Sequence, residues 1–198
     1  SKMLIIKFKE IRQKFDEWYS DAQEKEPEYA EAMSLATATK DGLPSVRIVL
    51  LKALDDRGFV FYTNLNSRKG SELLENPNAA LCFHWKSVNK QIRVEGTISA
   101  VDYTEADDYF ASRPRASQIG AWASKQSQPM KDPFEFEKRI AKYTSKFNIG
   151  DIPRPDFWSG FRLNPSRIEF WHERKFRLHE RNVYLVDGDT WRMEKIFP

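Results

Sequence analysis

Two adjacent cations at a predicted helix start are the first sign of chemistry in this sequence. In the segment Asn66–Gly70, Ser67 has the side chain of a helix N-cap, and Arg68 and Lys69 follow in the first turn. Cations are unfavourable there, because the helix macrodipole already places partial positive charge at the N-terminus. A phosphate held by backbone N–H groups and both side chains would resolve the conflict. Two solvated surface cations are the alternative, and this segment alone does not decide between them.

A second candidate anion site lies further along the chain. Tyr109, Arg113 and Ser117 are spaced four residues apart, so a helix would place them on one face, although Pro114 is expected to bend its path. A guanidinium between two hydroxyl groups suits another phosphate. An ordinary polar helix face is the simpler interpretation, and the spacing leaves both open.

Arg47 and Lys52 are the charged residues of the segment RIVLLK, in a strand predicted over 46–54. Their odd separation points them to opposite faces of a regular strand. Either they reach two different pockets, or they mark the two ends of an apolar strand.

A third basic segment, RLHER, lies in a strand predicted over 176–186. Alternation would place Arg177, His179 and Arg181 on one face. Three such groups rarely point into an apolar core, so they face either water or an anionic ligand.

Several common site classes are excluded. His84, His172 and His179 are scattered and Cys82 is the one cysteine, which argues against a zinc site. We therefore expect no metal. The sequence has no GxSxG motif and no plausible Cys–His pair, so a hydrolase is not indicated. The glycines form neither a GxGxxG nor a GxxxxGK[ST] motif, which excludes the familiar nucleotide-binding loops.

Length and composition indicate one domain that carries these groups. The chain has 198 residues, of which 40% are hydrophobic, and a net charge of +3. That mixed surface is not one that coats nucleic acid. The chain has no apolar run long enough to cross a membrane, and its N-terminal segment lacks signal-peptide features, so we expect a cytoplasmic protein.

The apolar pattern predicts a series of short strands with a few helices, which suggests a closed antiparallel barrel of the α+β class with peripheral helices. Early strands are joined by turns too short for a parallel crossover. Strands are predicted over 33–39, 46–54, 59–63, 79–85, 91–101, 157–163, 167–171, 176–186 and 190–197. Helices are predicted near the N-terminus and over 67–75, 104–112, 115–124 and 132–150.

Taken together in this order, RIVLLK, FYTNLNSRKG, YFASRPRASQIGAWASKQS, FWSGFRLNPSRIEFW and RLHER resemble the pyridoxine (pyridoxamine) 5′-phosphate oxidase family. The resemblance covers about residues 30–198. It implies one FMN-binding split β-barrel over 1–198, with an N-terminal helix within 1–28 and dimerisation and active-site strands over 156–198. It also implies a homodimer with FMN at the subunit interface.

The resemblance also implies the site residues, carried over motif by motif. The FMN group would comprise Arg47, Ile48, Val49, Leu50, Leu51, Lys52, Tyr62, Thr63, Arg68, Lys69, Gln91, Gln126, Ser127, Trp171 and Arg181. The substrate group would comprise Lys52, Tyr109, Arg113 and Ser117 around the phosphate, and Arg177 and His179 as catalytic residues near the pyridine ring. One departure is Glu180, where the family motif RLHDR has aspartate; we expect activity to survive this change.

The implied reaction is the oxidation of pyridoxine 5′-phosphate or pyridoxamine 5′-phosphate to pyridoxal 5′-phosphate, with O2 reduced to H2O2. No nucleic acid or membrane partner is expected. Two alternatives stay open from the sequence: a split-barrel flavin reductase that uses a nicotinamide donor, and a non-catalytic carrier of flavin or pyridoxal phosphate.

Overall fold

The computed structural model describes residues 5–198, which form a curled antiparallel sheet of nine strands with five α-helices. The strands are β1 Ala32–Ala38, β2 Pro44–Leu50, β3 Ala53–Asp55, β4 Gly58–Asn64, β5 Asn78–Trp85, β6 Lys90–Ala100, β7 Trp158–His172, β8 Glu180–Asp187 and β9 Thr190–Lys195. The helices are α1 Phe8–Lys25, α2 Arg68–Glu75, α3 Tyr103–Ser112, α4 Arg115–Ala123 and α5 Glu135–Lys146. The predicted α+β class and split-barrel architecture are confirmed.

The sheet curls because its two ends are joined by only two residues. Its order is β2-β1-β5-β6-β7-β4-β3, with β8 and β9 added beside β7. Leu51 N–H donates to Glu31 O at 2.9 Å, and Lys52 N–H donates to Val60 O at 2.9 Å. The backbone thus stops pairing beside β1 and begins to pair with β4 between two consecutive residues, Leu51 and Lys52. The single strand predicted over 46–54 was therefore wrong: it is two strands with different partners.

The predicted strands over 157–163 and 167–171 are one 15-residue strand, β7. One edge of β7 pairs with β6 along its length, and the other pairs first with β4 and then with β8. Pro165 does not interrupt it because a bulge lies there, where the register shifts between Glu95 and Gly96. A Cβ on Gly96 would lie 2.0 Å from Asn164 O, so this close approach requires glycine.

The core lies between α1 and the concave face of the sheet. Ile11 and Phe15 of α1 are buried, and the Phe15 ring lies edge-on to Phe59 and Phe83 at 5.4 Å from each. Trp85 donates its indole N–H to Ala30 O at 2.8 Å, which satisfies its one polar group in a buried position. This packing gives the sheet a rigid base for the cavity on its other side.

The predicted strand over 176–186 begins only at Glu180. Lys175–Arg177 forms a single 3₁₀ turn, in which Phe176 and Arg177 both have φ of 60°. Left-handed backbone cannot continue a strand. Arg177 and His179 therefore do not share a strand face with Arg181, and that prediction was wrong.

No helix within residues 5–198 is long and apolar enough to span a membrane.

Candidate functional site

An open cavity of about 910 Å³ lies between β2, β4, α3, α4 and the start of β7. Its volume is in the range of cofactor and substrate pockets. The predicted site residues that line it are Arg47, Ile48, Val49, Leu50, Lys52, Tyr62, Thr63, Lys69, Tyr109, Arg113, Ser117 and Gln126. Twelve residues that were singled out on separate segments thus come together in one cavity.

The start of α2 forms one corner of this cavity. Ser67 is the N-cap, and its hydroxyl accepts the Gly70 N–H at 3.2 Å. Gly70 is required here because a Cβ would lie 2.4 Å from Leu65 O. Lys69 is buried, and this burial, with the nearby charge of Arg47, lowers its pKa to about 8. The predicted helix start is confirmed, with a desolvated cation beside it.

Arg68 differs from its neighbour. Its side chain is exposed, its Nε donates to Glu72 Oε1 at 3.0 Å, and it is not among the cavity-lining residues. Part of the charge conflict at this helix start is therefore relieved inside the protein by Glu72, one turn later on α2.

Three aromatic rings form a stack against the cavity wall. The rings of Tyr62, Tyr109 and Trp158 are nearly parallel and contact one another, with ring centroids 4.0 Å apart for Tyr62 and Tyr109, 5.3 Å for Tyr62 and Trp158, and 6.0 Å for Tyr109 and Trp158. Burial and the charge of Glu105 raise the pKa of Tyr62 to about 12, so its hydroxyl stays protonated. Through Tyr109, these ring contacts hold the cavity-facing side of α3 against β4 and β7.

Arg113 is held in place by this stack, but its hydrogen bonds are incomplete. Its guanidinium carbon lies 4.8 Å from the Trp158 ring centroid. Its Nη1 is buried and has no hydrogen-bond partner among residues 5–198. Burial lowers the pKa of Arg113, so an anion at this point would satisfy both its charge and its free donor.

The predicted helical spacing of the second anion site is broken. α3 ends at Ser112, Arg113 is its C-cap, and Pro114 begins α4 as its N-cap. Tyr109 and Ser117 still line the same cavity as Arg113, because the bend between the two helices wraps around it. The three residues therefore line one cavity, although no single helix face carries them.

Gln126 and its neighbours meet the cavity from the segment after α4. Thr63 donates its hydroxyl to Gln126 Oε1 at 3.4 Å. Ser127 follows with φ of 69° and does not line the cavity. Leu51 is buried in the core and does not line it either, so only its backbone lies near the site.

The remaining predicted residues form a second group on β6, β7, β8 and the preceding turn. Gln91 pairs with Trp171, and Trp171 pairs with Arg181 across these strands. The His179 ring centroid lies 4.8 Å from that of Trp171, and its Nδ1 accepts the Arg174 N–H at 3.1 Å. A neutral His179 therefore carries its proton on Nε2.

Arg181 makes a bidentate ion pair with the buried Glu169, at 2.9 and 2.8 Å. The hydrogen bond raises the pKa of Arg181, and it offsets the burial of Glu169, whose pKa is lowered. Arg177 is exposed on the 3₁₀ turn. None of the residues of this second group lines the cavity.

Among the residues missed from the sequence, Trp158 and Glu72 contact the predicted ones. Trp158 lines the cavity and supports both Tyr62 and Arg113. Its signal was the aromatic pair Phe157-Trp158 at the start of a strand, which also fits a core position. Glu72 was missed because an acidic residue in a short helix usually faces solvent; its spacing from Arg68 was the available signal.

Comparison with known proteins assigns the chain to a family. The model described as pyridoxamine 5′-phosphate oxidase matches residues 19–147. A second model, described as the pyridoxine 5′-phosphate oxidase C-terminal dimerisation region, matches residues 158–198. The chain belongs to the pyridoxamine 5′-phosphate oxidase family. It is therefore an oxidoreductase, and the second group of residues, apart from Gln91 on β6, lies in the segment that matches the dimerisation region of this family.

Relatives in this oxidase family are similar over nearly their full length. The pyridoxine/pyridoxamine 5′-phosphate oxidase of Brucella canis is 54% identical over 187 residues, covering 93% of this chain and 92% of the relative. That of Brucella abortus strain 2308 is also 54% identical, with 93% and 89% covered.

Solved structures show the same fold. PhzG from Burkholderia lata 383, in complex with tetrahydrophenazine-1-carboxylic acid, has a TM-score of 0.89 at 31% identity, covering 94% of this chain and 91% of PhzG. A pyridoxamine 5′-phosphate oxidase-related, FMN-binding protein from Nostoc punctiforme has a TM-score of 0.72 at 18% identity, covering 90% and 95%.

Proposed function

We propose that the chain is an FMN-dependent oxidase that converts pyridoxine 5′-phosphate or pyridoxamine 5′-phosphate to pyridoxal 5′-phosphate, with O2 as the acceptor. The observation that carries the proposal is a pair of separate cationic positions in one cavity. Lys69 and Arg47 lie at the α2 corner, and Arg113 lies at the α3–α4 bend. A phosphorylated cofactor and a phosphorylated substrate would each supply one anion.

The α2 corner fits the phosphate of FMN. Lys69 is buried without a carboxylate partner among residues 5–198; its Nζ has Ser67 Oγ at 3.5 Å. The first backbone N–H groups of α2 lie beside it, and Arg47 completes the charge. The aliphatic residues of β2 on the cavity wall, Ile48, Val49 and Leu50, suit a flat ring system. Thr63 and Gln126 would add polar contacts.

Arg113 fits the phosphate of the substrate, together with Tyr109, Ser117 and Lys52. The unpartnered Nη1 of Arg113 is the strongest support, because a buried donor is rarely left unsatisfied. A substrate without the phosphate would leave this donor unpaired, so the site discriminates in favour of phosphorylated vitamers. This contact acts on a part of the substrate that does not react.

Arg177 and His179 would act at the reacting end of the substrate. Bound FMN supplies the electron acceptor for the oxidation. Arg177 would hold the pyridine ring and stabilise charge that develops there, and His179 would orient the substrate or handle a proton through Nε2. Both would act together with the stacked rings that set the substrate's position.

These two residues would come from a second copy of the chain. They lie outside the cavity of their own protomer, in the segment that matches the family's dimerisation region. Phe176 and Leu178, which flank Arg177, are exposed apolar side chains, as are Val46 and Ile48 at the cavity edge. Dimerisation would cover both surfaces and bring residues 156–198 of one copy to the cavity of the other.

Turnover without a nicotinamide tests this proposal against its alternatives. We expect the purified yellow protein to form pyridoxal 5′-phosphate from pyridoxine 5′-phosphate in air, with O2 consumed. Unphosphorylated pyridoxine is the matched control and should react poorly. A requirement for a nicotinamide donor would indicate a flavin reductase instead. Bound flavin whose visible bands do not bleach with anaerobic substrate would indicate a carrier.

A further inference from the structure

Glu72 is a buried carboxylate behind the cationic corner of the cavity. It is 4% exposed and faces β1 and β2 from α2. Its Oε2 accepts the hydroxyl of Thr37 in a short hydrogen bond and that of Ser45 at 2.7 Å. Its Oε1 accepts Nε of Arg68 at 3.0 Å. These bonds outweigh the effect of burial and lower the pKa of Glu72 to about 2, so it is ionised at neutral pH.

The same two hydroxyl groups also hold Arg47. Its Nη1 donates to Thr37 Oγ1 at 2.6 Å and to Leu35 O at 3.1 Å, and its Nη2 donates to Ser45 Oγ at 2.5 Å. A hydroxyl has one hydrogen to donate. Because a carboxylate can only accept, Glu72 takes that hydrogen from both hydroxyls and leaves their lone pairs for Arg47.

We propose that Glu72 is a positioning residue for the cofactor phosphate: it fixes Arg47 through Thr37 and Ser45, and it fixes Arg68 directly. Like the contacts it supports, this role rests on the proposed FMN site. The bond from Arg68 uses only Nε, which leaves both terminal nitrogens of that guanidinium available to an anion. Neither Glu72 nor Arg68 lines the cavity, so at the cavity wall Glu72 acts through Arg47.

A purely electrostatic role of Glu72 predicts the opposite effect on FMN affinity. The Glu72 carboxylate lies 3.7 Å from Arg47 Nη2 and cancels part of the positive charge that attracts a phosphate. If charge alone mattered, neutralising Glu72 would strengthen FMN binding. If position matters more, the neutral variant would bind FMN more weakly, because an amide accepts on one side only: its nitrogen would face either the two hydroxyls that hold Arg47 or Nε of Arg68, and that side would lose its hydrogen bonds.

The test compares FMN with riboflavin, which lacks the phosphate, on apoprotein variants by quenching of flavin fluorescence. For Glu72→Gln we expect the FMN dissociation constant to rise at least tenfold, about 1.4 kcal/mol, and that of riboflavin to change less than about threefold. Glu75→Gln is the matched control. Glu75 lies on the same helix and is exposed, so its loss removes the same charge without touching either arginine and should leave both constants nearly unchanged.

Ser45→Ala provides a second variant in case Glu72→Gln folds poorly. Ser45 lies on the edge strand β2, and its loss removes one of the two hydroxyls, so a smaller but still FMN-selective loss is expected. Unchanged or tighter FMN binding by Glu72→Gln, or equal losses for both flavins, would overturn the positioning role while the FMN site stands. A wild-type protein that does not prefer FMN over riboflavin would overturn the site itself, and the role of Glu72 with it.

Discussion

At the scale of single residues, the cavity contains cations, Lys69 and Arg113, that have no carboxylate partner among residues 5–198. Lys69 is buried beside Arg47, and both pKa values are lowered mainly by burial. Arg113 keeps one buried donor unpaired. Such groups reduce the stability of a fold unless a ligand completes them, so their presence together indicates a site that binds anions.

Lys69 makes FMN binding dependent on pH. Its pKa of about 8 in the free protein should rise when a phosphate binds, so binding takes up a proton above this pH. The affinity for FMN should therefore fall from pH 8 to 9.5, by at most about tenfold per pH unit. The phosphate is already a dianion in this range, since its second pKa is about 6.

Fluorescence titrations at fixed ionic strength measure this dependence of FMN affinity on pH. The Lys69→Met variant should bind FMN weakly, and its affinity should not change with pH over this range. A wild-type affinity that stays constant to pH 9.5 would contradict the assignment.

Arg113 should affect substrate affinity more than the chemical step. Contacts to a phosphate that does not react are equally strong in the ground and transition states. For Arg113→Ala we expect KM for pyridoxine 5′-phosphate to rise at least tenfold, about 1.4 kcal/mol, with a smaller change in kcat. Arg115→Ala is the control, because Arg115 donates to the carbonyls of Phe147 and Gly150 instead. Steady-state kinetics at full FMN occupancy test this prediction. A loss confined to kcat would contradict the assignment of Arg113 to the substrate phosphate.

At the scale of elements, Arg162 of β7 holds α3 against the sheet. Its buried guanidinium donates to Asp55 at the end of β3 and, at 2.7 Å, to Glu105 in the first turn of α3. α3 carries Tyr109, which forms part of the stacked wall of the cavity. The position of Tyr109 at the cavity wall thus depends on ion pairs of Arg162, which lies outside the cavity.

We expect Arg162→Leu to lower the free energy of unfolding by about 3 kcal/mol, because two carboxylates lose a buried partner. Asp55 and Glu105 are partly exposed, which keeps the effect at the lower end of the range for such pairs. Arg57→Ala is the matched control: Arg57 contacts the same two carboxylates from an exposed position, so its loss should cost less than about 1 kcal/mol. Urea unfolding measures both, and equal effects would show that burial of Arg162 is not what matters.

Local chemistry explains which elements could be predicted. The N-cap Ser67 and the cations after it are encoded by neighbouring residues, and the structure has the helix start where the sequence places it. The break after Leu50 could not be predicted, because no glycine or proline marks it in RIVLLKALD and only the hydrogen-bonding partner changes. The turn at Phe176 and Arg177 was missed because left-handed backbone at non-glycine residues leaves no sequence signal.

At the scale of the whole molecule, the predicted site residues fall into two groups that one chain does not bring together. The convergence of the cavity group was implied by the resemblance of its motifs to the family, since each segment alone left a surface position open. Under the proposed function, the placement of Arg177 and His179 at the site would depend on a second copy, so the contacts within one chain do not provide it. We expect a dimer in sedimentation with two FMN per dimer, and a monomer that retains stoichiometric FMN would contradict this.

Subunit complementation tests the central claim, that each site joins the cavity of one copy to Arg177 of the other. Arg177→Ala alone should lower kcat markedly while FMN stays bound, and Arg113→Ala alone should bind substrate poorly. We would coexpress the two variants with different affinity tags and isolate the mixed dimer. If the sites are shared, one site carries both changes and the other carries neither, so the mixed dimer should have about half of the wild-type activity per dimer at low substrate concentration. If each site lay within one chain, both sites would carry one change, and the mixed dimer would be no more active than the average of its parents.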